Sequence, residues 1–208
     1  LGGEKTRDAM RHTERIEKTL ISEERVQRRV AELGAEIARD FADHDTVHMI
    51  GVLKGAFVFM ADLGRAVWKA GGPDVRYDFV RASTYGTAVK SAGEVAREVR
   101  VEMVPSKLDG KDVILVEDIL DQGFTLARIR AFLLQECGAR SVKLCVLLDK
   151  ELAHPSAQVQ AVRRELVPDY TGFRVPDRWV AGCGLDVAEE FRALPEVVVV
   201  REEFYRHG

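Results

Sequence analysis

Three carboxylates crowd into one short stretch, Val113, Ile114, Leu115, Val116, Glu117, Asp118, Ile119, Leu120, Asp121, Gln122, Gly123, Phe124, Thr125. The leading apolar run reads as a buried strand, so Glu117, Asp118 and Asp121 fall at its carboxyl end, where open α/β sheets bind ligands. Like charges this close repel one another, which is sustainable only beside cations or many hydrogen-bond donors. A divalent metal or a polyhydroxy ligand is implied. Directly afterwards Gln122, Gly123, Phe124 and Thr125 open a helix, whose free N–H groups and dipole favour a phosphate; Gly123 allows close approach and the Thr125 hydroxyl adds a donor. Acids suited to sugar hydroxyls or Mg²⁺ thus stand beside a phosphate cradle. The plainer alternative is a solvated acidic turn in which Asp121 caps the helix. The stretch is neither a Walker P-loop nor a Gly-x-Gly-x-x-Gly fingerprint, which counts against nucleoside triphosphates and dinucleotides.

The elements that must position these groups are legible around them. Ser22 precedes Val26, Val30, Leu33 and Ile37 at helical steps, with Glu23 and Glu24 suiting the dipole, and predicts an amphipathic helix capped by serine. Residues 47–53 form a nearly all-apolar strand; Lys54 and Gly55 make a tight turn into a helical pattern over 57–68, closed by Gly71, Gly72 and Pro73. Val75, Tyr77 and Phe79 alternate as a second strand. Residues 83–98 lose apolar periodicity and predict a long mobile loop. After the acidic strand, Leu126, Ile129, Phe132 and Leu133 restore helical spacing up to Gly138, and 142–148 is another apolar strand. Strands alternating with helices predict an α/β fold with a central, mostly parallel sheet. Beyond Lys150 the pattern fragments: 153–166 is polar with scattered valines, and 170–200 holds short strand-like pieces ending in Val197, Val198, Val199 and Val200. This predicts a smaller lobe set against a core of about 22–150.

Composition narrows the function classes. The 208 residues carry 31 Lys+Arg against 34 Asp+Glu, a net charge of −3, without the basic footprint of a nucleic-acid binder. No apolar run approaches the roughly 20 residues that span a bilayer, and no secretory signal is visible. Cys137, Cys145 and Cys183 are widely spaced, odd in number and without a CxxC pair, so they predict reduced, buried thiols rather than a disulfide framework or a zinc site. The chain opens on Leu1 rather than Met, consistent with trimming, and its last residues are not a Ser-Lys-Leu address. The expectation is a cytoplasmic protein without membrane or nucleic-acid partners.

The acidic strand and phosphate turn resemble the phosphoribosyl pyrophosphate motif of type I phosphoribosyltransferases. The wider pattern is more particular. Leu53, Lys54 and Gly55 after the first strand, the pair Thr84 and Tyr85, Lys150 at a strand end, and Val175, Pro176, Asp177, Arg178, Trp179, Val180 leading to Gly184, Leu185, Asp186 together resemble the hypoxanthine-guanine phosphoribosyltransferase family, over about residues 21–200. The resemblance implies a type I phosphoribosyltransferase fold spanning 1–208 as one domain, with a hood lobe formed mainly by 151–208 plus the N-terminal segment. It also implies a purine-salvage transferase that makes IMP or GMP and pyrophosphate from hypoxanthine or guanine and phosphoribosyl pyrophosphate, with Mg²⁺.

By that resemblance Glu117 and Asp118 hold the ribose hydroxyls, directly or through Mg²⁺, and stabilise an oxocarbenium-like transition state. Asp121 lies near purine N7 as general acid or base, and Asp121, Gln122, Gly123, Phe124 and Thr125 take the 5′-phosphate. Lys54, Gly55 and Arg192 cradle pyrophosphate, and the loop bearing Thr84 and Tyr85 closes over the reaction and excludes water. Lys150 donates to the purine 6-oxygen, Trp179 stacks on the ring, the Val180 backbone meets its edge, and Asp186 completes the purine, pyrophosphate and metal surroundings together with Glu117 and Asp118. A homodimer or homotetramer is expected.

This chain departs from the family pattern at Gln122, Phe124 and Thr84, at Cys183, where an aromatic is common, and in a longer connection over 153–166. The last two bear on base preference rather than reaction type. A xanthine-preferring enzyme is the nearest alternative. A non-catalytic sensor of phosphoribosyl pyrophosphate would need a DNA-binding module or loss of Asp121 or Tyr85, and a redox or dinucleotide protein would leave the three acids unexplained.

Overall fold

The computed structural model describes residues 14–85, 98–103 and 107–204. A six-stranded sheet runs in the order β4-β3-β2-β5-β6-β7. Its strands are β2 (Thr46–Val52), β3 (Asp74–Tyr85), β4 (Glu98–Met103), β5 (Asp112–Leu120), β6 (Ser141–Glu151) and β7 (Tyr170–Pro176). The pairs β2/β3, β2/β5, β5/β6 and β6/β7 are parallel, and β3/β4 is antiparallel. The chain steps from β2 outward to β3, then returns to the other side of β2 with β5. This reversal opens a crevice between the carboxyl ends of β2 and β5, the usual ligand position in open α/β sheets.

β5 is apolar without alternation because both of its faces are covered. Ile114 and Val116 face one core with Leu33 and Ile37 of α1 (Glu23–Asp40) and Phe59 and Leu63 of α2 (Ala56–Lys69). Val113 and Leu115 face a second core with Leu126, Ile129 and Leu133 of α3 (Phe124–Gln135). Ser22 caps α1, its Oγ accepting from the Arg25 N–H at 3.4 Å. Gly138, at φ 78°, ends the turn after α3, as its sequence position predicts.

A second, three-stranded antiparallel sheet runs β1-β9-β8, with β1 (Ile16–Ile21), β8 (Val180–Ala181) and β9 (Val197–Val200). The four valines of β9 are fully buried. β1 does not stand out in the sequence, being polar between Ile16 and Leu20; its pairing with the distant β9 supplies the order that local pattern does not. The region after Lys150 also differs from the sequence expectation. The polar connection is a helix, α4 (Ala157–Glu165), capped by Ser156 Oγ, and β7 joins the main sheet beside β6 rather than the smaller one.

The predicted loop over 83–98 is corrected at both ends. Thr84 and Tyr85 belong to β3, paired with Val99 and Glu98 of β4, so they extend an antiparallel hairpin; the rest of that predicted loop, 86–97, lies outside the described residues. Strand pairing there rests on backbone groups and needs no apolar periodicity.

Candidate active site

β5 carries the acids further than its apolar run suggests, since the strand continues through Glu117 and Asp118 to Leu120. Glu117 is buried, and its Oε1 accepts from the Asp118 N–H at 3.2 Å; Asp118 Oδ1 accepts from the Ile119 N–H at 2.8 Å. Burial first, then the neighbouring Asp118 carboxylate, holds the Glu117 carboxyl well above the usual carboxylate range, and burial lifts Asp118 as well. Two adjacent acids that resist ionising on their own are suited to a cation or to hydroxyl donors.

Across the crevice, the turn after β2 comes against them. Its Leu53–Lys54 peptide is cis, and Gly55 packs so tightly that a Cβ there would stand 1.7 Å from Asp118 Oδ2. Gly184 closes the turn from the other side: a Cβ on it would meet the Gly55 carbonyl oxygen at 2.0 Å. Both glycines are there for close approach, not only for turning.

Lys54 Nζ lies 3.0 Å from Glu189 Oε2, and Arg192 Nη2 reaches the same oxygen at 3.3 Å. Arg192 also donates to the Gly184 carbonyl at 2.8 Å and pairs with Asp186 at 2.7 Å, while its buried Nε has no acceptor among the described residues. Asp186 Oδ2 accepts from the Glu189 N–H at 2.8 Å. These contacts place Asp186 beside Arg192 and, through Glu189, near Lys54. Glu189, which sequence reasoning missed, links the two cations, and the only sequence signal for it is its three-residue spacing from Arg192. Its loop holds Cys183, Ala188, Glu189 and Phe191 at φ of 54°, 52°, 66° and 73°, a concentration of left-handed non-glycine residues of the kind that marks functional loops.

On the far side of β5, Asp121 and Lys150 come together from the ends of adjacent strands, Lys150 Nζ donating to Asp121 Oδ2 at 3.0 Å. Lys150 also lies 3.8 Å from Asp177 Oδ1. Its side chain is only 12% exposed, so this is no ordinary surface lysine. Gly123, at φ 89°, precedes α3 without a side-chain cap, which leaves the first-turn N–H groups of Gln122 to Thr125 without intrahelical partners. Trp179 is 47% exposed and precedes buried Val180 in β8, so the indole is not a core residue.

Cys183 is corrected: its side chain is buried in the main core and its thiol donates to the Pro195 carbonyl at 3.3 Å, so it does not face a base pocket. A cleft of about 400 Å³, lined among others by Asp149, Lys150, Gln160, Arg163 and Arg174, opens between α4 and the ends of β6 and β7. Among the described residues no three His, Cys, Asp or Glu side chains converge as a metal cage, so Glu117, Asp118 and Asp186 do not form one cluster. Mg²⁺ needs no such cage, because it commonly binds through one or two carboxylates, waters and substrate phosphates. The buried acid pair of β5 fits that mode.

Strand order, crevice, acid pair and phosphate turn define a phosphoribosyltransferase, and residues 18–187 match the phosphoribosyl transferase domain family. The hypoxanthine-guanine phosphoribosyltransferase of Bacillus subtilis is 39% identical over 190 residues, 91% of this chain and 96% of that one. The hypoxanthine phosphoribosyltransferase of Salmonella typhimurium is 38% identical over 201 residues, 93% of this chain and 100% of that one. A crystal structure of a hypoxanthine-guanine phosphoribosyltransferase from Bacillus anthracis matches with a TM-score of 0.72 at 36% identity, covering 89% of this chain and 99% of that one. The chain belongs to the hypoxanthine-guanine phosphoribosyltransferase family.

Proposed function

We propose that this chain transfers the phosphoribosyl group of phosphoribosyl pyrophosphate to N9 of hypoxanthine or guanine, forming IMP or GMP and releasing pyrophosphate. The observation that carries the reading is the Lys150–Asp121 pair, 3.0 Å apart, beside the phosphate turn and the buried acids of β5. An ammonium and a carboxylate held together suit two neighbouring atoms of an oxopurine edge. Lys150 donates to the 6-oxygen, which an adenine replaces with an amino donor that the ammonium cannot serve. Asp121 takes the ring proton at N7 as the C1′–pyrophosphate bond breaks and the N9–C1′ bond forms.

Glu117 and Asp118 hold the ribose hydroxyls and oppose the positive charge that develops on the sugar. Asp121 and the N–H groups of Gln122, Gly123, Phe124 and Thr125 receive the 5′-phosphate. Lys54, the Gly55 backbone and Arg192 take pyrophosphate in place of their shared partner Glu189. Glu117 and Asp118 would hold Mg²⁺ together with waters and substrate oxygens, Asp186 would join through the pyrophosphate side beside Arg192, and the ion would supply charge neutralisation for the leaving group. Trp179 stacks on the base and Val180 meets its edge through the backbone. Thr84 and Tyr85, at the tip of β3, begin the segment that covers the reaction.

On this reading residues 1–208 are one catalytic domain, a core with a hood lobe. The protein works in the cytoplasm, where its buried free thiols stay reduced. No helix among the described residues is long and apolar enough to cross a membrane. It assembles as a homodimer or homotetramer: exposed Phe57 and Trp68 lie on one stripe of α2, with Tyr77 laid over Gly64 between them.

The test is nucleotide formation from hypoxanthine, guanine, xanthine and adenine, each with phosphoribosyl pyrophosphate, with and without Mg²⁺. Mg²⁺-dependent turnover of the first two is expected. A preference for xanthine moves the assignment to that specificity. Binding of phosphoribosyl pyrophosphate without turnover of any base overturns the enzyme reading in favour of a sensor.

A further inference from the structure

Arg163 of α4 reaches back to the ends of both strands that carry the purine-facing pair. Its Nη1 donates to the carbonyls of Leu120 and Asp121, each at 2.9 Å. Its Nη2 donates to the Lys150 carbonyl at 3.2 Å and to the Asp149 carboxylate. One planar cation thus joins the last residue of β5, the residue that follows it, and the end of β6.

The position matters because the backbone ladder between β5 and β6 runs only as far as Leu120 opposite Asp149. Beyond that pair, no strand hydrogen bonds hold Asp121 against Lys150, and the guanidinium takes over at the place where they stop. It binds through carbonyls, which leaves the Asp121 carboxylate and the Lys150 ammonium turned to each other and to a ligand. Asp149 balances its charge, so Arg163 does not compete with Lys150 for Asp121. The same helix also supports the phosphate turn: a Cβ on Gly123 would stand 3.1 Å from Leu166 Cδ2 and 3.3 Å from Val162 Cγ1.

We propose that Arg163 is a positioning residue that locks the carboxyl ends of β5 and β6 together, so that Asp121 and Lys150 meet the purine edge in register. The proposal rests on the roles given above to Asp121 and Lys150. The fork geometry is essential, because a lysine carries the charge but cannot donate to several acceptors in one plane. A misplacement of about 1 Å between reacting groups costs on the order of a hundredfold in rate.

The test uses the full chain with Arg163→Ala, and Arg163→Gln in case the first does not fold, beside Arg163→Lys and the neighbouring Arg164→Ala. Two readouts are taken. Steady-state IMP formation is expected to show kcat lowered about 10- to 100-fold with the KM for phosphoribosyl pyrophosphate within about threefold. Arg163→Lys is expected to fall between alanine and wild type, and Arg164→Ala to match wild type. Independently of activity, a brief acetic anhydride pulse read by mass spectrometry is expected to label Lys150 at least about fivefold faster in Arg163→Ala, with Lys143 unchanged, because only the local clamp has opened. An unchanged kcat, or Lys150 labelling equal to wild type, overturns the proposal. Wild-type protein that turns over no base defeats the functional reading instead, and the Lys150 labelling then decides the clamp alone.

Discussion

Replacing Gly55 by alanine separates stability from function at one methyl group. Gly55, just before α2, sits at φ −58° and ψ −43°, ordinary helical values, so alanine meets no backbone strain there and gains about 0.4–1 kcal/mol by restricting the unfolded chain. The new Cβ would stand 1.7 Å from Asp118 Oδ2 and 2.5 Å from its Cγ, where ordinary contact begins at 3.4 Å. The carboxylate must therefore swing away by about 1.7 Å, the difference between 3.4 and 1.7. It can do so by rotating its side chain, which forfeits the 2.8 Å bond from the Ile119 N–H, a loss of about 1 kcal/mol. Gain and loss nearly cancel, so the melting temperature should stay within about 4 °C of wild type. Catalysis has no such compensation: a ribose-binding acid displaced by more than 1 Å should lower kcat/KM for phosphoribosyl pyrophosphate by at least about 100-fold, or about 2.7 kcal/mol of transition-state stabilisation. The assay is initial-rate IMP formation over a phosphoribosyl pyrophosphate series at saturating hypoxanthine, beside thermal unfolding of the same preparation. A variant with kcat/KM within threefold of wild type would refute the assignment of Asp118 to the sugar.

Asp121→Asn keeps shape but removes the proton acceptor and the charge facing Lys150; kcat should fall about 10²- to 10⁴-fold, and an unchanged kcat in single-turnover assays would exclude Asp121 from proton transfer. Far from the site, Asp112 accepts from Arg140, from Ser141 Oγ at 2.6 Å and from His44 Nε2 at 3.0 Å, and these bonds, Arg140 foremost, hold its carboxyl well below the usual range. A depressed folded value contributes stability that is full above the unfolded value of about 4 and is lost as pH falls further. Asp112→Asn should therefore cost about 1–2 kcal/mol at pH 7, because Arg140 is exposed and screened, and the gap in denaturant midpoint should close below about pH 4; a gap independent of pH contradicts the network. Burial pushes the Cys183 thiol up to about 12, so at pH 8 its thiolate is about one part in ten thousand, against about a quarter for an ordinary thiol. Native protein should resist iodoacetamide at Cys183 and Cys145 while unfolded protein takes three labels, and rapid labelling of either in the native state by mass spectrometry would show that the main core opens.

What the sequence made legible is what local chemistry determines. The apolar run from Val113 to Val116 needs both faces covered, the acids after it need a crevice, and Gly123 allows a phosphate to approach the backbone closely; each of these follows from neighbours within a few positions. Ser22 as a cap and the four valines of β9 belong to the same class. What stayed hidden depends on residues far apart in the chain. β1 is polar enough to pass for a tail, and becomes a strand because β9 offers it an edge. Thr84 and Tyr85 become strand through their backbone register with Val99 and Glu98, which are 13 or more residues further along the chain.

The same distinction explains the site. Lys150 and Trp179 have no local feature that distinguishes them from a surface lysine and a core aromatic; only the order of motifs along the chain singles them out, and the structure then gives Lys150 its carboxylate and Trp179 its exposure. Arg163 had no motif to carry it, since it lies within the connection that departs from the family pattern and its acceptor at Leu120 is 43 residues away. A long connection after a ligand-facing strand end is easily dismissed as a surface insertion. Here it folds into a helix that returns a guanidinium to the point where two strands stop pairing. A shortened connection between β6 and β7 that lacks Arg163 should therefore loosen Lys150, read as faster acetylation, before it unfolds the sheet.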